Sequence, residues 1–282
     1  MKPFRRLAFV FNQQKPGAQE LAQELAEIAR QAGAKSKITG TRKLPRGYLK
    51  DSDACCVIGG DGTLLGVVRE AARQAIPIIG VNQGSLGYLT TFSADEARAQ
   101  FADLLSGNYR LGWRTLVECK TGPRHRDVAL NDVVIKDEVN SRLVRLEVHA
   151  DGEFVTDYNC DGVIFSTPTG STAYNLAAGG PIVHPEAQVI AMTPICPHTL
   201  SDRTIIFRDQ VKLKIFNRTA GSRLLVAMDG QRTLVGTDGA PIEVTIARHQ
   251  LALAQRCDYS HFAVMRTKLK WTGGYVSPAP LK

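Results

Sequence analysis

The 282-residue sequence predicts an α/β half built on a doubly wound parallel sheet, followed by an all-β half, with the functional site between them. Two observations predict this. Short apolar strands alternate with helical stretches up to about residue 112, and from residue 113 the hydrophobic period shortens to two. In the first half Leu7 to Phe11 reads as a strand, Ala18 to Ala32 as a helix stopped at Gly33, and Ala54 to Ile58 as a second strand. Leu64 to Ala75 then reads as helix and Pro77 to Val81 as strand. Alternation of this kind requires crossover connections, and ligands of such folds sit at the carboxyl ends of the strands.

In the second half Val144 to His149, Val211 to Ile215 and Ile242 to Ile246 alternate apolar and polar residues, as half-buried antiparallel strands do. The turn pairs Asp151-Gly152, Asp229-Gly230 and Asp238-Gly239 separate them. These patterns divide the chain into an α/β domain over 1–112 and an all-β domain over 113–257. The tail of about 258–282 carries Phe262, Val264, Met265, Leu269 and Trp271, enough apolar content to return to the first domain.

A hydrophobic fraction of 44% supports a sizeable core. Lys and Arg number 35 against 27 Asp and Glu, a net charge of +8, but the basic residues are scattered and form no nucleic-acid motif. Small polyphosphorylated molecules suit that charge better than nucleic acid or a membrane. The apolar run Leu7 to Phe11 is too short for a signal sequence or a membrane span, so the expected setting is cytoplasmic. Cys55, Cys56, Cys119, Cys160, Cys196 and Cys257 show no C-x-x-C or Cys/His spacing. Reduced, mostly buried thiols are expected, and no metal ligand is assigned to them or to His184, His198 and His261.

Two segments carry chemistry. In Ala54 to Leu65 an apolar strand runs into Gly59-Gly60-Asp61-Gly62-Thr63 and then a helix start. Glycines let backbone amides approach an anion, and a helix start offers unpaired N–H groups. A carboxylate there repels phosphate, so Asp61 is expected to have a task of its own. The second segment, Asp161 to Pro181, turns at Pro168 and Gly170 into a short helix, capped by Ser171 or Thr172 and stopped by Gly179, Gly180 and Pro181.

Taken in order, Gly59-Gly60-Asp61-Gly62-Thr63, Gly84-Ser85-Leu86-Gly87-Tyr88-Leu89, Leu130-Asn131-Asp132-Val133-Val134 and Ser166 to Tyr174 resemble the successive signatures of bacterial NAD kinases. Pro197 to Leu200 and Met228-Asp229-Gly230-Gln231 extend the likeness over most of the chain. The resemblance implies transfer of a phosphoryl group from ATP, or from inorganic polyphosphate, to the 2'-hydroxyl of the adenosine ribose of NAD. It implies Asp61 as proton acceptor for that hydroxyl, with Gly62 beside the phosphates. Asn131, Asp132, Asp161, the run Thr172, Ala173, Tyr174, Asn175, Leu176 and Ala177, and Gln231 match dinucleotide contacts, with Tyr174 able to stack on a base. Arg142 falls where some relatives place a basic or histidine contact. Asn159 stands where some relatives carry arginine, which leaves the donor open, and Asp132 stands where many have glutamate.

The chemistry further implies Mg2+, bound mainly through the donor phosphates and without a protein cage. The resemblance implies a homodimer or homotetramer. On the residues alone two other readings stay open: a lipid or sugar-phosphate kinase using the same Gly-Gly-Asp-Gly turn, and a non-catalytic NADP-binding protein or NADP-dependent oxidoreductase. The spacing of Gly59 to Gly62 is not the Gly-x-Gly-x-x-Gly that the last of these calls for.

Overall fold

The computed structural model describes residues 1–40, 44–84, 87–123, 125–139, 142–235 and 239–271. Ser85 and Leu86 of the second signature, Asp238 of one turn pair and the end of the tail, 272–282, lie outside the described residues. The first half runs β1 (Arg6–Phe11), α1 (Ala18–Gln31), β2 (Lys35–Gly40), β3 (Ala54–Gly59), α2 (Asp61–Gln74), β4 (Ile78–Asn82), β5 (Phe92–Ser93), α3 (Ala94–Ser106) and β6 (Arg110–Arg114). The second continues with β7 (Val117–Lys120), β8 (Arg126–Ala129), β9 (Asp132–Asp137), β10 (Val144–Ala150), β11 (Glu153–Cys160) and β12 (Gly162–Ser166). After a 3-10 turn over Thr169–Thr172 come α4 (Tyr174–Ala177), β13 (Val189–Ile195), β14 (Ile205–Arg208) and β15 (Leu213–Asn217). The chain ends with β16 (Leu224–Met228), β17 (Arg232–Val235), β18 (Ile242–Ile246), β19 (Leu251–Gln255) and α5 (His261–Lys268).

The first sheet has the order β2-β1-β3-β4-β19-β6, with β5 also on β4. β1, β2, β3 and β4 are parallel, and β3 and β4 are buried along their whole length, which is why they read as unbroken apolar runs. From β1 the chain goes out to β2 on one side and returns to β3 on the other, so the direction of winding switches between β1 and β3. Helix α1 packs Leu21, Leu25 and its buried alanines on one face of the sheet, while α2 packs Leu64, Leu65, Val67 and Val68 on the other.

The β half consists of two antiparallel six-stranded sheets, β11-β10-β15-β18-β7-β8 and β14-β13-β12-β9-β16-β17. Between them lies one core of alternate side chains, including Val144, Leu146 and Val148 from β10 against Val133, Ile135, Val163 and Phe165. Each such side chain contributes about 1.5–3 kcal/mol on burial. Asp229 and Gly230, at φ 52° and 63°, make the tight hairpin between β16 and β17.

Three details depart from the sequence reading. Helix α2 begins at Asp61 and not at Leu64, so the acid is the first helical residue instead of the apex of a turn. Val211 stands outside the strand, which starts at Leu213, because the Lys212 N–H is taken by the Asp151 carboxylate at 2.9 Å. Strand β6 straddles residue 112, and β19, well before residue 257, pairs with β4 in the first sheet, parallel at Leu253↔Ile78 and Ala254↔Ile79. The segment after β19 begins on that first domain, where Arg256 pairs with Glu96 and Arg110 stacks over the Tyr259 ring at 5.4 Å, and then meets the β half, where the His261 and Phe262 rings lie 5.7 and 5.8 Å from His184. All six cysteines are free, four of them buried and Cys196 and Cys257 exposed.

Candidate active site

Asp61 enters the site through the strand-to-helix junction. The N-cap Gly60 is extended, its N–H reaches Thr63 Oγ1 at 3.5 Å, and α2 opens at Asp61, where the helix dipole favours a negative side chain. The carboxylate is held by the segment that follows β4. Oδ1 accepts from Leu89 N (3.2 Å), Thr90 N (3.0 Å) and Thr90 Oγ1 (2.9 Å), while Oδ2 accepts, among the described residues, from Tyr88 N alone (2.8 Å). Buried Asn82 fixes the Thr90 hydroxyl in turn, donating from Nδ2 at 2.9 Å. A Cβ at Gly87 would lie 2.0 Å from Asp61 Oδ1, so glycine is what lets this segment close over the acid.

A second group forms on the β half. The Asp229 carboxylate accepts the N–H groups of Leu130 (3.1 Å), Asn131 (2.7 Å) and Asp132 (3.3 Å) from the hairpin between β16 and β17. From the other side Thr167 Oγ1 donates to Leu130 O at 2.5 Å, and Thr167 N donates to Asn131 O at 2.9 Å. Gly170 packs so tightly that a Cβ there would sit 2.0 Å from Asn131 O. The backbone of Asn131 is therefore clamped on both sides, while its half-exposed side-chain amide has no hydrogen bond among the described residues. Gln231 joins the two groups, donating from Nε2 to Gly62 O at 2.6 Å across the domains.

Burial, and next the nearby Asp229 charge, push the Asp132 carboxyl up to about 7. Burial also raises Asp229, against three N–H donors and Arg232 that lower it, so both carboxyls sit above the ordinary range and titrate as a pair. Because the folded pKa lies above the unfolded value of about 3.9, folding takes up a proton, and stability from this group falls as pH rises from about 4 through 7. Asp132→Asn is expected to flatten that slope and to raise the melting temperature at pH 8, by roughly 2–4 kcal/mol in stability. Thermal unfolding of both proteins between pH 5 and 8 checks this. An unchanged slope would assign the titration elsewhere.

Of the residues singled out in the sequence, Asp61, Gly62, Asn131, Asp132 and Gln231 come together around this cleft. Arg142, Asn159 and Asp161 do not. All three are exposed, and Asp161 precedes the Gly162↔Lys136 end of the β9–β12 pair, whereas Asp132 pairs with Ser166 at the other end. Five rises of about 3.3 Å set Asp161 roughly 16 Å from Ser166, the partner of Asp132.

The run from Thr172 to Ala177 follows Gly170, and within it Tyr174 is 46% exposed with its ring accessible. Asn175 is fully buried, with Nδ2 donating to Ser171 O and Pro181 O and Oδ1 accepting from Thr193 Oγ1, so its side chain is committed inside the protein. The expected caps are also absent from this short helix. Ser171 Oγ donates to Pro168 O and accepts from Val183 N, and Thr172 Oγ1 donates to Thr169 O, because the chain tightens into a 3-10 turn before the α turn begins.

Sequence reasoning passed over Thr90, Asn82, Asp229 and Lys15. Lys15, half-buried in the loop between β1 and α1, donates from Nζ to Gly59 O at 3.2 Å and Gln83 O at 2.8 Å. Among the described residues no cluster of three His, Cys, Asp or Glu side chains could hold a metal ion, and no helix is long and apolar enough to cross a membrane.

Residues 41–109 match the family model of the ATP-NAD kinase N-terminal domain, and residues 130–255 that of the ATP-NAD kinase C-terminal domain. The NAD kinase of Syntrophobacter fumaroxidans is 37% identical over 281 residues, 95% of this chain and 99% of that one. The chain belongs to the NAD kinase family. Other NAD kinases, from Thiobacillus denitrificans and Pseudomonas putida strain F1, are 36% and 40% identical over 95% and 83% of this chain, and over 98% and 79% of their own. Yeast NADH kinase, in a crystal structure with NADH, superposes with a TM-score of 0.82 at 25% identity over 100% of this chain and 91% of that one. An NAD kinase from Archaeoglobus fulgidus, in complex with ATP, shares the fold at a TM-score of 0.79 and 22% identity, over 95% of this chain and 100% of that one. As a member of the NAD kinase family the chain is a phosphotransferase, and the two clamped groups above belong to that family's two-domain fold.

Proposed function

We infer that the chain transfers the terminal phosphoryl group of ATP to the 2'-hydroxyl of the adenosine ribose of NAD, giving NADP and ADP. The observation that carries this reading is the 2.6 Å bond from Gln231 to Gly62 O, which sets the acid of one domain beside the clamped Asn131–Asp132 backbone of the other. In the transfer the ribose oxygen attacks the γ-phosphorus, the bond from that phosphorus to the β–γ bridging oxygen breaks, and the hydroxyl proton passes to Asp61. Oδ2 is the atom suited to receive it, since among the described residues it accepts one hydrogen bond where Oδ1 accepts three. In a loose phosphoryl-transfer transition state the nucleophile needs orientation and late proton removal, which a weak base fixed in place supplies. The Asn131 amide and the Asp132 carboxyl suit ribose hydroxyls or the adenine edge, and the open Tyr174 ring suits stacking on a base.

Mg2+ carried by the donor phosphates suits a site with a single carboxylate at the turn, and when bound it would neutralise charge developing on the transferred group. Asp61 would reach it through water. The separation of Arg142, Asn159 and Asp161 from the cleft supports a homo-oligomer, in which a second copy brings those three residues to NAD. Six free cysteines, four of them buried, suit a reducing cytoplasm. The purified protein with NAD, ATP and Mg2+ should form NADP, followed with an NADP-specific dehydrogenase. No NADP from any triphosphate or polyphosphate donor would overturn the reading.

A further inference from the structure

Helix α2, which carries Asp61 at its start, is tied to the β half at two points. Gln231 donates to Gly62 O at 2.6 Å, and further along the helix Arg69 Nε lies 3.3 Å from Asp127 Oδ1 of β8. Gly62 and Arg69 are about two turns apart, so both ties fall on one face of α2, roughly 10 Å from each other along its axis. One such tie acts as a pivot between the halves. A second fixes the angle about it.

The second tie does not end at Asp127. That carboxylate is buried, with Oδ2 accepting from Arg232 Nε at 2.8 Å and Oδ1 from Val128 N at 2.8 Å. Arg232 Nη2 donates to Val128 O at 2.7 Å and lies 3.7 Å from Asp229 Oδ2, and Asp229 holds the N–H groups of Leu130, Asn131 and Asp132. Alternating charges therefore run from exposed Arg69 through Asp127 and Arg232 to Asp229 and the clamped backbone. Arg232 stands between two carboxylates, and Arg69 gives one of them, Asp127, a second cation. With Arg69 in place Asp127 draws less on Arg232, and more of the guanidinium charge is left for Asp229.

We propose that Arg69, Asp127 and Arg232 are positioning residues for the transfer, which fix the angle of α2, and with it the place of Asp61, relative to the backbone of Asn131 and Asp132. The proposal rests on the phosphoryl-transfer reading above and deepens it. All three act through other residues: Arg69 and Asp127 through α2, and Arg232 through Asp229. Reacting groups tolerate little error in placement, since a displacement of about 1 Å can cost on the order of 10²-fold in rate. The Arg69 side chain is 62% exposed, so its ion pair adds little to stability in water. A role in geometry and a role in stability are therefore separable at this residue.

In the full chain Arg69→Met should lower kcat about 5-fold to 50-fold, with the KM values for NAD and ATP within about twofold and the melting temperature within about 2 °C of the wild type. Arg69→Lys should recover part of the loss, since the ammonium keeps the charge. Asp127→Asn should also lower kcat, and the double variant should match Asp127→Asn, because Arg69 then has no carboxylate left to lose. A kcat within about twofold of the wild type in Arg69→Met overturns the proposal. So does a raised KM for NAD at unchanged kcat, a double variant whose loss is the product of the two single losses, or a melting temperature that falls in step with kcat. Hydrogen exchange at the amides of 130–132 reads the ion chain without catalysis. Asp127→Asn should speed it by more than about threefold and leave the amides of α1 unchanged, and equal exchange at 130–132 overturns the coupling. Absence of NADP from the wild type would overturn the catalytic reading, and the exchange would still decide whether the ion chain ties α2 to that segment.

Discussion

Asp61→Asn is expected to lower kcat by about 10²-fold to 10⁴-fold while NAD affinity changes by less than about threefold. Two effects combine. The amide is no proton acceptor, and its NH2 must face at least one of the N–H groups of Tyr88, Leu89 and Thr90 that the carboxylate now satisfies. That mismatch costs roughly 1–3 kcal/mol in stability and displaces the side chain as well. Thr90→Val separates the two effects, because it removes one bond to Oδ1 and leaves the acid in place. A drop of about tenfold in Thr90→Val beside a far larger one in Asp61→Asn would identify proton acceptance as the main contribution. Single-turnover rates with equilibrium NAD titration measure both, and near-normal turnover in Asp61→Asn would remove Asp61 from the chemistry.

The largest effect on the folded state is expected from Asp229→Ala. Its carboxylate serves three backbone N–H groups, and Leu130 and Asp132 are buried, so deletion leaves donors with no water to replace the lost acceptor. Arg232 also loses a carboxylate at 3.7 Å. A loss of about 3–5 kcal/mol follows, which for a chain of this size lowers the melting temperature by roughly 10 °C. NAD binding should fall with it even at temperatures where the variant is folded, since Asn131 loses one side of its clamp. Asp229→Asn, which keeps one acceptor oxygen, should recover part of both. A variant that melts like the wild type and binds NAD normally would contradict the clamp.

Much of this was legible in the chain. β3 and β4 appeared as apolar runs because both faces of a central parallel strand are buried, and β10 and β18 appeared as alternations because one face is not. The Gly-Gly-Asp-Gly turn was visible because its chemistry is local. Lys15 and Asp229 were not, since their partners lie 44 to 99 positions away and only the register of the sheets brings them together. The same holds for Thr90, an unremarkable residue until Gly87 lets its segment fold over Asp61. What the Asn175 side chain bonds to was not legible either, since Thr193 lies 18 positions away and joins the backbone of its own loop as its partner. The Leu251–Gln255 run carried a signal that went unread, because five consecutive buried positions suit a central strand of a parallel sheet better than an alternating one.

That last strand has a consequence for how the protein is made. During translation the N-terminal half emerges with Ile78 and Ile79 on an open strand edge, and the partners of that edge, Leu253 and Ala254, are still about 170 residues from being synthesised. At about 5–20 residues per second the gap lasts on the order of ten to thirty seconds. Throughout that interval the nascent chain exposes an apolar strand edge able to pair with any other strand that reaches it. A premature stop anywhere before residue 251 would make the exposure permanent, so the ribosome's completion of the β half is also what seals the half that came first.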